Sequence, residues 1–179
     1  MTDKIYLDAN GLLADGFILA RKIYDSGFKP DCIIALWRGG TPVGIAVQEF
    51  LQHKGWHCRH TAVKTASYSG IGTHGEVVIE NIGFILDMLD DNAKVLIVDD
   101  IFDSGRTAAA IKRALAAKTS SVKFAMIYYK PLRNETDFAP DFHIKETDSW
   151  LVFPHEIIGL TEEEIKEKDE GLYGLLVDG

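Results

Sequence analysis

Two stretches of this chain repeat one pattern. A short, wholly apolar run flows into a glycine-bearing loop and then into a segment with helical spacing. The first run is Cys32-Ile-Ile-Ala-Leu36, followed by Arg38-Gly39-Gly40 and a helix that ends at Gly55. The second is Val95-Leu-Ile-Val98, followed by Asp99 to Thr107 and an alanine-rich helix to about Lys118. Apolar runs this short suit strands covered on both faces. Strands alternating with helices predict an α/β fold, with a mainly parallel twisted sheet flanked by helices and right-handed crossovers. In such sheets ligands bind beyond the carboxyl ends of the strands, where both glycine loops fall.

The remaining elements fit the same plan. Leu13, Phe17, Ala20 and Tyr24 recur at helical spacing between Asn10 and Gly27 and predict one buried stripe. Thr41 reads as the N-cap and Pro42 as the first residue of the helix after Gly40. His57 to Thr65 and Val77 to Ile79 read as strands, and the glycine- and hydroxyl-rich stretch Ala66 to Glu76 between them as a mobile loop. Ile82, Ile85, Leu86 and Leu89 have helical spacing. Val122 to Tyr129 is a further strand, Lys130 to Pro140 a polar connection, and Phe142 and Trp150 to Phe153 mark short late strands. Thr161-Glu-Glu-Glu164 has capping-box spacing and opens an acidic helix. The apolar stretch Leu172 to Val177 is expected to pack on its own core or on a subunit partner.

With 179 residues, 46% of them hydrophobic, the chain can bury roughly 70% of its unfolded surface, so one domain over 1–179 is expected. The net charge of -8 disfavours a nucleic-acid partner. No apolar run reaches the roughly 20 residues of a membrane span, and Met1-Thr-Asp-Lys-Ile-Tyr lacks a signal peptide's regions, so a cytoplasmic protein without a membrane partner is expected. Cys32 and Cys58 read as free thiols of a reducing compartment. His53, His57 and His60 beside Cys58 have zinc-ligand chemistry, but Gly55 splits them between a helix end and a strand, and solvated histidines are the better reading.

Chemistry concentrates in Val95-Leu-Ile-Val-Asp-Asp-Ile-Phe-Asp-Ser-Gly-Arg-Thr107. A buried strand delivers Asp99 and Asp100 to its end, and a glycine turn then starts a helix. Free N–H groups at that helix start, with the Ser104 and Thr107 hydroxyls, suit a phosphate monoester. The adjacent carboxylates would repel it, so ribose hydroxyls or a hydrated magnesium ion are their natural partners. Receiver domains also end a strand in Val-Asp-Asp, but near the start of their fold, whereas Asp100 lies past the middle of this chain. A Walker B reading lacks its Gly-rich Lys loop. Aspartates that merely cap the next helix account for Asp103 and not for three carboxylates within five positions.

Residues 95–107 resemble the 5-phosphoribosyl-1-diphosphate (PRPP) signature of the type I phosphoribosyltransferases, and Asp103 points to their 6-oxopurine branch. That resemblance implies a small hood, formed by the terminal and 130–156 segments, and a mobile loop over the site. It implies that Arg38, Gly39, Gly40, Ser67, Tyr68, Asp99, Asp100, Asp103, Ser104, Gly105, Arg106 and Thr107 bind PRPP, with Asp103 catalytic. Lys130, Trp150 and Leu151 would bind the purine, Lys130 through the 6-oxo oxygen and Trp150 by stacking. Asp100 and Glu156 would face Mg2+, the implied cofactor. Ser104 for the commoner threonine, the bulky Trp37, and Glu156 for aspartate are departures from the pattern. The activity implied is Mg-dependent transfer of the 5-phosphoribosyl group from PRPP to hypoxanthine, guanine or xanthine, giving a nucleoside monophosphate and diphosphate in purine salvage, by a homo-oligomer. The alternatives are a PRPP- or nucleotide-sensing regulator of the same fold, or a transferase for another base.

Overall fold

The computed structural model describes residues 4–70 and 73–177, and of residues 67–70 and 73–76 it describes the backbone alone. Two compact units divide the chain: residues 10–148, and residues 1–9 with 149–179.

The larger unit is built on a six-stranded sheet. Its strands are β2 (Cys32–Trp37), β3 (Arg59–Gly70), β4 (Thr73–Ile79), β5 (Val95–Phe102), β6 (Val122–Tyr129) and β7 (Phe142–Glu146), in the order β4-β3-β2-β5-β6-β7. Every pairing is parallel except that of β3 with β4. Around the sheet run helices α1 (Ala9–Asp25), α2 (Gly40–His53), α3 (Ile82–Met88) and α4 (Arg106–Leu115). The central strands are apolar without alternation because both faces are covered: Ile34, Leu36, Val95 and Ile97 join Ile85, Ile111 and Leu115 in one core cluster, while α2 packs on β2 and β5.

The smaller unit pairs β1 (Lys4–Tyr6) with β8 (Trp150–Val152) in parallel and adds α5 (Glu162–Lys168) and α6 (Glu170–Val177). Thr161 and Glu164 form the reciprocal capping box that their spacing predicts. Lys4 pairs with Glu164, tying β1 to α5. No described helix is long and apolar enough to cross a membrane.

Three readings of the sequence need correction, and a fourth, for the apolar stretch near the end, is narrowed to its subunit-partner alternative. The buried stripe of α1 is Leu12, Gly16, Leu19, Ala20 and Ile23, whereas Leu13 and Phe17 are exposed and Tyr24 is half-buried. The face is set by Gly16, whose missing Cβ lets α1 approach Ala46 of α2: a Cβ there would stand 2.9 Å from the Ala46 methyl. The N-cap of α2 is Gly39, and the Thr41 hydroxyl donates to the Arg38 carbonyl at 2.7 Å instead of capping. Residues expected to form a loop within 66–76 extend β3 and β4 into an antiparallel hairpin, with Ala66 opposite Val78 and Ser67 opposite Val77. Backbone pairing with the β-branched run Val77-Val-Ile79 overrides the loop composition. No residue of α6 is buried, and Leu175 is 81% exposed, so this segment does not pack on the protein's own core. Cys32 and Cys58 are both free thiols, and His53, His57 and His60 are exposed.

Candidate functional site

β2 and β5 are neighbours and parallel, so their carboxyl ends carry the two glycine loops side by side. β5 runs through Asp99 and Asp100 to Phe102, and the next residues turn into α4. Gly105 makes that turn at φ +78°, a conformation that favours glycine; a Cβ would also lie 2.7 Å from the Phe102 ring and 2.8 Å from Thr136. Around it lies a cleft of about 190 Å³, lined among others by Asp99, Asp103, Ser104, Gly105, Thr107 and Ala108. The first amides of α4 have no partner within their own helix, which makes the cleft an anion cradle at the positive end of a helix.

Asp100 is buried and Asp99 half-buried. The Asp100 N–H donates to Asp99 Oδ1 at 3.0 Å. Removal from water, and next the charge of Asp100, push the Asp99 carboxyl well above the ordinary carboxylate range, against the opposing effect of hydrogen bonds from the Asp100 and Gly40 backbone. Two acids held this way favour a cation or a hydroxyl donor beside them. Mg2+ takes only one or two carboxylates where a substrate phosphate and water complete its shell, so this donor pair fits it.

Gly39 and Gly40 serve this carboxylate pair directly. A Cβ on Gly39 would fall 2.0 Å from Asp100 Oδ2, and one on Gly40 2.3 Å from the Val98 carbonyl oxygen. Neither has positive φ; what both supply is room for the loop to lie against the end of β5. Trp37 is exposed and is joined to Arg38 by a cis peptide bond.

Asp103 sits beyond the end of β5 between two cations. Lys130 Nζ is 3.6 Å from its Oδ2, and Arg133 Nε is 2.8 Å from its Oδ1. Lys130 is buried at the end of β6, fixed by its N–H donating to the Phe102 carbonyl at 2.9 Å. The following segment is laced to the turn: Glu135 N–H donates to the Ser104 carbonyl at 3.0 Å, and Arg106 pairs with the Glu135 carboxylate at 2.7 Å. Arg133 and Glu135 are absent from the sequence-based site. Their only sequence signal is proximity to Lys130, since contacts across 29 or 30 positions leave no periodic trace.

Thus Arg38, Gly39, Gly40, Asp99, Asp100, Asp103, Ser104, Gly105, Arg106, Thr107 and Lys130 all lie at or just beyond the carboxyl ends of β2, β5 and β6. Ser67 and Tyr68 stand on β3, and their side chains lie outside the described residues. Trp150, Leu151 and Glu156 belong to the smaller unit. There Trp150 is 52% exposed, Leu151 is buried, and Glu156 Oε2 accepts from the Phe153 N–H at 3.0 Å.

Comparison with known proteins agrees with this geometry. The model of the phosphoribosyl transferase domain matches residues 4–159. A hypoxanthine-guanine phosphoribosyltransferase of Lactococcus lactis is 29% identical over 143 residues, covering 76% of this chain and 70% of that protein. The purine phosphoribosyltransferase of Pyrococcus horikoshii superposes with a TM-score of 0.71 at 26% identity, over 89% of this chain and 97% of that one. A Neisseria gonorrhoeae protein with bound ppGpp shares the fold, with a TM-score of 0.75 at 23% identity over 96% and 98% of the two chains. Family model, related sequence and parallel-sheet architecture agree: the chain belongs to the phosphoribosyltransferases, a class of transferase enzymes, and its relatives lie in the purine branch.

Proposed function

We propose that the enzyme transfers the 5-phosphoribosyl group from PRPP to N9 of a 6-oxopurine, releasing diphosphate and forming the nucleoside 5'-monophosphate, in purine salvage. One observation carries this reading: an anion cradle at the start of α4 and a pair of mutually stressed carboxylates share the end of one strand. A sugar phosphate with vicinal hydroxyls is the ligand that needs both.

The 5'-phosphate would take the amides and hydroxyls of Ser104 to Thr107. Asp99 and Asp100 would accept from the ribose hydroxyls, and their negative field would favour the positive charge that develops on the ribose as the leaving group departs. The Arg38-Gly39-Gly40 loop would hold the diphosphate, with Ser67 and Tyr68 closing over it to exclude water. Asp100 would face Mg2+, which when bound neutralises charge on the diphosphate. The buried Lys130 ammonium would donate to the 6-oxo oxygen, Trp150 and Leu151 would contact the base, Trp150 by stacking, and Asp103 would take a proton from the imidazole ring of the purine. In this scheme catalysis is positional and electrostatic. The exposed apolar residues Leu175, Leu176 and Val177 support a homo-oligomer.

Incubation with PRPP, Mg2+ and, one at a time, hypoxanthine, guanine, xanthine, adenine, uracil and orotate tests this. Nucleoside monophosphate is expected from 6-oxopurines alone. Turnover of adenine or a pyrimidine in preference, or of none of the six, refutes it.

A further inference from the structure

We infer that Arg133 is a positioning residue that fixes the plane of the Asp103 carboxylate, so that one of its oxygens faces the base. The inference rests on the transfer reading above and extends it to a side chain outside the PRPP signature. Arg133 Nε approaches Oδ1 to 2.8 Å, and that oxygen is buried and accepts no aligned hydrogen bond among the described residues. The guanidinium therefore covers Oδ1 as a charge. Oδ2 is left on the side of Lys130, whose Nζ stands 3.6 Å away, beyond hydrogen-bond contact.

The result is one cationic donor and one anionic acceptor side by side. Along one edge of a 6-oxopurine, the 6-oxo oxygen and N7 are likewise neighbours, an acceptor beside a position that sheds a proton when N9 is alkylated. Lys130 Nζ and Asp103 Oδ2 match that edge in order and in sign. Rotation of the Asp103 carboxylate would lose the match, and Arg133 opposes that rotation.

Arg133 is well placed to act rigidly. It ends a single 3-10 turn, Pro131–Arg133, closed by its N–H donating to the Lys130 carbonyl at 3.2 Å. Pro131 fixes φ at the start of that turn, and the Leu132 N–H donates to Asp148 Oδ1 at 3.3 Å. Beyond it, Asn134 Nδ2 donates to the Tyr129 hydroxyl at 3.1 Å and to the Phe138 carbonyl at 2.8 Å. The Arg133 side chain is itself 52% exposed, and an ion pair so exposed adds little to folding. Its worth lies in orientation.

The test is a double-mutant cycle in steady-state kinetics with PRPP, Mg2+ and hypoxanthine. Arg133→Ala and Arg133→Gln are expected to lower kcat about 10-fold or more, while KM for PRPP stays within about twofold. In an Asp103→Asn background, Arg133→Ala should cost less than about twofold further, because the group it orients no longer accepts a proton. A residue needed only for folding would impose its loss in both backgrounds. Three results overturn the inference: wild-type kcat in both Arg133 variants, a KM for PRPP that rises as far as kcat falls, or an undiminished loss in the Asp103→Asn background. Wild-type enzyme without turnover on any base would instead defeat the transfer reading on which the inference stands.

Discussion

Replacing Gly40 with alanine isolates the demand that the site makes on backbone packing. A Cβ at this position would come within 2.3 Å of the Val98 carbonyl oxygen and 2.9 Å of the Asp99 Cα. Ordinary contact with the carbonyl oxygen begins about 1 Å farther out. Both obstacles are main-chain atoms of β5, paired on either side by β2 and β6, so the strand cannot yield and the start of α2 must. Overpacking of this kind costs about 1–3 kcal/mol. In a protein of this length that is a fall in Tm of about 2–12 °C. Since the displaced loop carries the N–H that Gly40 offers Asp99, PRPP binding should weaken as well. Gly83→Ala is the control: it lies within α3 with nothing inside 4 Å of the added methyl, and should stabilise by about 0.5–1 kcal/mol. Thermal unfolding and PRPP titration calorimetry on both variants decide the matter. A Gly40→Ala protein as stable and as avid for PRPP as wild type would refute the reasoning.

Lys130→Ala should cut the preference for hypoxanthine over adenine by about 10-fold or more, the worth of a charge-assisted hydrogen bond; an unchanged preference in competition assays would mean another group reads the 6-oxo oxygen. Trp150→Ala should raise KM for the base about 2- to 10-fold and leave KM for PRPP alone, as loss of a stacking surface does. Burial pushes the Cys32 thiol up to about 11 from an ordinary 9.0. The folded state thus holds its proton more tightly than the unfolded chain, so this stability is full below pH 9 and is lost as pH rises through 11. Linkage puts the loss at about 2–3 kcal/mol, and denaturant unfolding from pH 8 to 11 should fall more steeply for wild type than for Cys32→Ala. Parallel slopes would contradict it.

Wherever burial is two-sided and local, the chain could be read directly. Cys32 to Leu36 and Val95 to Val98 are strands because nothing polar interrupts them, and Gly105 marks its turn because the backbone there needs positive φ. The capping box at Thr161 is a four-residue pattern and needs no tertiary partner. Features set at long range were hidden. The buried face of α1 turns on how closely Gly16 meets Ala46, so the larger side chains of Leu13 and Phe17 misled. The β3–β4 hairpin draws on main-chain pairing that glycine and serine neither announce nor prevent. Most of all, the surroundings of Asp103 come from a segment beginning at Lys130, and only the fold brings Arg133 to it.

In the proposed reaction the turn from Asp103 to Thr107 holds the phosphate of a sugar ester whose vicinal hydroxyls meet Asp99 and Asp100. A crystal structure with a nucleoside 5'-monophosphate of hypoxanthine or guanine tests it most directly. The phosphate is expected on the backbone amides of Ser104 to Thr107 and the ribose hydroxyls on the two aspartates. A phosphate seated elsewhere, or a turn left empty at saturating ligand, would contradict it.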